Sequence, residues 1–165
     1  MTSLKKLFFL FVALITYSIS YSQPCFLPVV EYNNNAFLYQ PKKIITADFN
    51  NDGKLDIASA NNAVSYGVSI LRGTGTGSFT AVATWFPMGY RPESIVSGDF
   101  NNDGNQDIVA VGSPTTNTHA ISFLNGIGTG SFSPAVTYTL AADASVVGWD
   151  LNKGDYNGDG KLDVS

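Results

Sequence analysis

The chain has 165 residues, 44% of them hydrophobic, with one cysteine, one histidine and a formal net charge of −4. A negative balance excludes the basic footprint that nucleic acid demands, and a lone cysteine excludes an intrachain disulfide framework. The same two counts exclude a zinc site built from His and Cys.

In chain order, the first predicted element is a secretory signal over residues 1–22. Lys5 and Lys6 form its positive end, Leu7 to Ile15 its short apolar core, and Ser18, Ser20 and Ser22 supply small residues for cleavage. The apolar core is too short for a comfortable bilayer span, and no other stretch is longer, so no membrane span is expected in the mature chain. That chain is expected to be secreted, extracellular or at the cell surface. Without the two leader lysines it carries seven basic against thirteen acidic side chains, a balance of −6. Cys25 follows Ser22-Gln23-Pro24, which lacks the small-residue box of bacterial lipoproteins, so no lipid anchor is expected.

The mature region, 23–165, divides into repeats. Residues 26–40 hold an orphan outer strand and linker, because Phe26, Pro28, Val30 and Tyr32 match the spacing of Phe132, Pro134, Val136 and Tyr138. Residues 41–90 form repeat 1, 91–142 repeat 2, and 143–165 the start of repeat 3. Repeat 1 predicts strands at Ile44–Ala47, Ile57–Ala60 and Val68–Leu71, then a glycine turn Gly73–Phe79 and a fourth strand from Phe79 through Val82 to Trp85. Repeat 2 predicts Ser94–Ser97, Ile108–Val111 and Ile121–Leu124, then Gly126–Phe132 and a fourth strand from Phe132 to Tyr138. These are short runs of β-formers bounded by turn residues. Four antiparallel strands in about 50 residues make one propeller blade. The predicted fold is therefore all-β: an incomplete propeller of about two full blades plus partial ones. Because propellers close with ~4–8 blades, the chain is expected to be a fragment of a longer protein.

Between the first and second strands of each repeat lies a nine-residue acidic loop. The three copies begin at Asp48, Asp99 and Asp155, at steps of 51 and 56 residues. Each places oxygen side chains at positions 1, 3, 5 and 9 and a glycine at position 6. That spacing wraps a loop around a hard cation, with the position 7 carbonyl able to join, and the sharp turn needs glycine at positive φ. Nine of the thirteen acidic residues sit in these loops, a concentration that repels itself unless a cation neutralises it. All-oxygen donors at this density favour Ca2+ over magnesium, which keeps more of its water.

These features resemble the FG-GAP or VCBS-type repeats of integrin-like β-propellers. The D-x-N-x-D-G-x-x-D loops, the strands after them and the G-x-G-S-F turns before Phe79 and Phe132 carry the likeness, over residues 26–165. The resemblance implies calcium ligands at Asp48, Asn50, Asp52 and Asp56, at Asp99, Asn101, Asp103 and Asp107, and at Asp155, Asn157, Asp159 and Asp163. Lys54, Asn105 and Lys161 would contribute backbone carbonyls only. An EF-hand is excluded because position 12 is Ser59 or Ala110 where Glu is needed. A dockerin is excluded because strands, not helices, follow the loops.

No catalytic group is expected. His119 lies before a third strand with no nucleophile or acid arranged around it, and reads as an exposed or strand-edge histidine. The glycine turns lack the Gly-Lys-Ser/Thr of a phosphate loop and no helix follows them. Trp85, Phe86 and Tyr90, near Arg91 and Glu93, read as packing between blades rather than as a sugar platform; Trp149 and Asp150 are a weaker candidate of the same kind. The expected function is a secreted, calcium-stabilised binding or adhesion module for an extracellular protein or glycan. The alternative is the non-catalytic part of an exported carbohydrate-active or other hydrolytic enzyme. A calcium sensor is disfavoured, since rigid hairpins offer no bistable element.

Overall fold

Alternating β-branched and small residues, interrupted by glycine- and aspartate-rich turns, build sheets and no helix among the described residues. The computed structural model describes residues 40–62, 66–80, 84–115, 118–140 and 150–165. All belong to one compact unit, Asn33–Ser165. The predicted signal, Cys25, the Phe26–Tyr32 strand, Val82 and Trp149 lie outside the described residues.

Blade 1 comprises β1 (Pro41–Ala47), β2 (Asp56–Asn61), β3 (Gly67–Leu71) and β4 (Thr84–Pro87). Blade 2 comprises β5 (Arg91–Gly98), β6 (Asp107–Thr115), β7 (Thr118–Leu124) and β8 (Val136–Leu140). A hairpin of β9 (Lys153–Gly154) and β10 (Asp163–Val164) opens blade 3. Each four-stranded sheet is an antiparallel meander in chain order. The first hairpins close with Ala47 opposite Asp56, Gly98 opposite Asp107 and Gly154 opposite Asp163, so the acidic loops sit at equivalent hairpin ends. Register slips occur beside Pro41 and Pro92, as expected where a proline removes a ladder donor.

Because side chains alternate across a strand, each sheet has two faces, and blade 2 uses both. Ile45, Ala47, Ala58, Ala60, Val68, Ile70 and Phe86 of blade 1 pack with Ile95, Ile108, Ala110, Ala120 and Leu124 of blade 2. Phe132 plugs this layer, standing edge-on to Phe86 at 4.9 Å and to Phe49 at 5.8 Å between ring centroids. The opposite face of blade 2 offers Val96, Val109 and Val111, which pack with Leu151 and, at the margin, Val164.

The fourth strand of blade 2 starts later than expected: Phe132 makes only an isolated bridge, to Gly126, and regular pairing begins at Val136. In blade 1, Phe79 makes an isolated bridge to Gly73, and β4 is described from Thr84. In blade 2 the reason is visible: Phe132 turns into the layer between blades, and Pro134 cannot donate to a ladder. The first strands start earlier than expected, at Pro41 and Arg91. His119 is the second residue of β7 and is buried at 8% exposure, so of the exposed and strand-edge readings only the strand-edge one holds. Leu140 pairs with it, so the outer strand extends far enough to cover that end of β7.

Candidate metal centre

The three acidic loops adopt one geometry, set by carboxylates accepting backbone N–H groups. At position 1, Asp48 accepts from Asp52 N at 3.1 Å and Gly53 N at 2.8 Å. Asp99 accepts from Asp103 and Gly104, and Asp155 from Asp159 and Gly160, at 2.9–3.1 Å. At position 3, Asn50, Asn101 and Asn157 each accept from the position 5 amide at 2.8–3.0 Å. At position 5, Asp52, Asp103 and Asp159 accept from Lys54, Asn105 and Lys161 N–H at 2.8–2.9 Å. The position 6 glycines, Gly53, Gly104 and Gly160, have φ of 79°, 87° and 82°, as expected.

Position 4 is left-handed as well, with φ of 57° at Asn51, 59° at Asn102 and 78° at Gly158. Sequence reasoning passed over this, although Asn, Asn and Gly at one position are the residues that tolerate that conformation.

Position 9 differs from the other donors. Asp56 and Asp107 are 0% and 1% exposed. One oxygen of each accepts from position 2 of its loop, Phe49 or Phe100, at 3.0 Å. The other accepts from the first glycine of the turn after the third strand, Gly73 or Gly126, at 2.8 Å. A side chain at Gly73 or Gly126 would run into the carbonyl of Leu55 or Gln106. The glycine turn is thus clamped to the acidic loop in both blades. Asp163 is only half-buried and accepts from Tyr156 N at 3.0 Å.

Burial pushes the Asp56 and Asp107 carboxyls up, and the nearby charges of Asp52 and Asp48, or of Asp103, add to that. The exposed carboxyls go the other way. The Asn105 amide holds Asp103 below the usual range, and the Gly160 amide does the same for Asp155. Desolvation raises Asp52, but the Lys54 amide, the Asn50 side chain and the Lys54 charge outweigh it. Lys54 thereby reaches the loop with its side chain, its Nζ standing 3.5 Å from Asp52, and not with its backbone alone.

All fifteen expected positions therefore lie in three equivalent hairpin loops. Among the described residues, no three Asp, Glu, His or Cys side chains converge closely enough to hold an ion by themselves. The Asn side chains and position 7 carbonyls are needed to complete an oxygen set of the size calcium takes, six to eight. The donor chemistry fits that ion: only hard oxygens, several of them ionised, beside amides that keep them so.

At the opposite end of the inner strands, the aromatic cluster serves packing. Tyr90 is 3% exposed and its hydroxyl donates to Ser122 Oγ at 2.8 Å. Trp85 and Phe86 lie in β4 itself, not in the connection. Arg91 stacks over Tyr66 at 5.4 Å, and Glu93 accepts from Asn62 and pairs with Lys42 at 3.3 Å. Asp150 pairs with Lys43 at 2.7 Å and accepts from Ser94 Oγ at 3.0 Å, fastening the start of blade 3 to both earlier blades.

Consecutive antiparallel sheets packed face to face, each opening on an acidic hairpin, define a repeat protein of the β-propeller type. Among known families, the FG-GAP-like repeat matches residues 48–110 and again 99–164, each match beginning at position 1 of an acidic loop. The chain belongs to the FG-GAP-like repeat family. No match was found among curated proteins or among solved structures.

Proposed function

We propose that this chain is a secreted, non-catalytic propeller module whose three acidic loops hold structural calcium, and that it binds an extracellular protein or glycan. The observation that carries the calcium reading is the shared loop geometry: an aspartate at position 1 and an asparagine at position 3 held by the position 5 amide, with left-handed turns at positions 4 and 6, in all three loops. Export rests on the leader-like residues 1–22. The binding role rests on membership of a repeat family in an all-β scaffold without an arranged catalytic group among the described residues.

Bound in these loops, calcium supplies divalent positive charge and a shared anchor for the oxygens. The chain does the rest. Backbone amides orient Asp48, Asp99 and Asp155, the left-handed residues turn the loop tightly, and Asp56 and Asp107 tie it to the sheet. Neutralising the carboxylates removes a repulsion that otherwise opposes the hairpin, so loaded loops stiffen the ends of the inner strands.

Calorimetric titration of the full chain with calcium, paired with melting curves in calcium and in chelator, tests this. Saturable binding near one ion per loop with a melting temperature raised by several degrees is expected, because ligand at 100 times its Kd adds about 2.7 kcal/mol per site. Absence of both heat and shift overturns the reading.

A further inference from the structure

The acidic loops of blades 1 and 2 touch each other, through Asn51, which is not an expected donor, and through the side chain of Asn105, of which only the backbone carbonyl is. Asn51 Nδ2, at position 4 of loop 1, donates to Asn105 Oδ1, at position 7 of loop 2, at 2.9 Å. Gly130 N donates to the Phe49 carbonyl at 2.9 Å, and Arg72 Nη2 to the Thr129 carbonyl at 2.9 Å. The glycine turn of blade 2 therefore lies across loop 1. It also presses on the amide pair: a Cβ at Gly128 would stand 2.5 Å from Asn105 Oδ1 and 2.8 Å from Asn51 Nδ2.

We propose that Asn51 and Asn105 are positioning residues that couple these two loops, so that loading either loop with calcium raises the affinity of the other. The inference rests on the calcium reading above. Asn51 holds the left-handed step immediately before Asp52, with φ of 57°. Asn105 donates its own amide to Asp103 and carries the position 7 carbonyl. Ordering either loop fixes one end of the shared hydrogen bond, so the second loop loses less conformational freedom when it is ordered in turn. Linkage makes the effect reciprocal.

Loop 3 provides the contrast within the same molecule. Its positions 4 and 7 are Gly158 and Lys161, and among the described residues no hydrogen bond joins loop 2 to loop 3. Loop 3 lacks this amide link to loop 2.

Amide NMR of the full chain during a calcium titration reads each loop separately, because Gly53, Gly104 and Gly160 each donate to the position 1 carboxylate of their own loop. Asn51→Gly removes the side chain while keeping a residue that accepts positive φ, and is what loop 3 carries at this position. It is expected to raise the calcium midpoint at Gly104 about two- to tenfold, the worth of one ordinary hydrogen bond, with Gly160 unmoved. Asn105→Lys, the residue of loops 1 and 3, cuts the same link from the other side and is expected to raise the midpoint at Gly53. Disabling loop 1 with Asp52→Asn should weaken Gly104 in the natural chain but not in the Asn51→Gly background. Unchanged midpoints in both link variants overturn the coupling and leave the calcium reading standing. No response of any glycine to calcium overturns the calcium reading and the coupling with it.

Discussion

The two faces of blade 2 are both apolar, yet only one is fully covered. Toward blade 1, Ile95, Ile108, Ala110, Ala120 and Leu124 are at most 1% exposed. On the other side, Val96, Val109 and Val111 are covered near Leu151, but β8 is exposed along its length, with Val136 at 49% and Tyr138 at 58%. Phe123 and Tyr138 pair edge-on there, 6.1 Å apart, above an open hollow that Phe100 and Val136 also line. The difference teaches that a blade has no core of its own. Its side chains become interior only between two neighbouring sheets.

Substitution on the two faces breaks the comparison most sharply. Leu124→Ala, on the covered face, is expected to cost about 2–5 kcal/mol by leaving a cavity, read by chemical denaturation. The next effect separates the buried loop aspartates from the exposed ones. In chelator, Asp56→Asn or Asp107→Asn should cost about 1–3 kcal/mol, because one of the two backbone N–H groups loses its acceptor. Asp52→Asn and Asp103→Asn should leave the chelated protein nearly unchanged and remove only the affected loop's share of the calcium-dependent gain. Equal losses in chelator from all four would contradict the clamp role of position 9.

Within the covered layer, Tyr90→Phe is expected to cost about 0.5–1.5 kcal/mol through its lost hydrogen bond. Burial pushes the Tyr90 phenol up from 10.0 to about 12, with the Ser122 hydrogen bond opposing. The raised value means that the fold favours the neutral phenol. Its contribution is fully present below pH 10, the value in the unfolded chain, and is lost as pH climbs through about 12. Stability measured between those pH values should fall less steeply in Tyr90→Phe. Smallest of all, Tyr138→Ser on the open face should change stability by no more than about 0.5 kcal/mol, while reducing self-association at high protein concentration, read by light scattering.

Much of this organisation was legible in the residues. The glycines at position 6, the strands after each loop and the hairpin placement of the loops follow from local turn chemistry, and the repeat confirms each reading in the next copy. The burial of His119, which rules out the exposed reading, depends on what the folded sheets bring around the start of β7 and is not written in its neighbours along the chain. The fourth strand of blade 2 was started too early because Phe132 looks like a strand residue until its place between Phe49 and Phe86 is seen. Position 4 of the loop was legible and missed: Asn51, Asn102 and Gly158 share one conformational demand.

Local chemistry thus sufficed for the repeat, the turn geometry of the acidic loops and the all-β class, since each depends on residues within a single hairpin. Three things depended on neighbours distant in sequence. Asp56 and Asp107 became clamps because Gly73 and Gly126 return to them from beyond the third strand. Phe132 became a plug because blade 1 faces blade 2. Asn51 met Asn105 because packing blade 1 on blade 2 brings their two loops within hydrogen-bond reach, a distance that no spacing along the chain encodes.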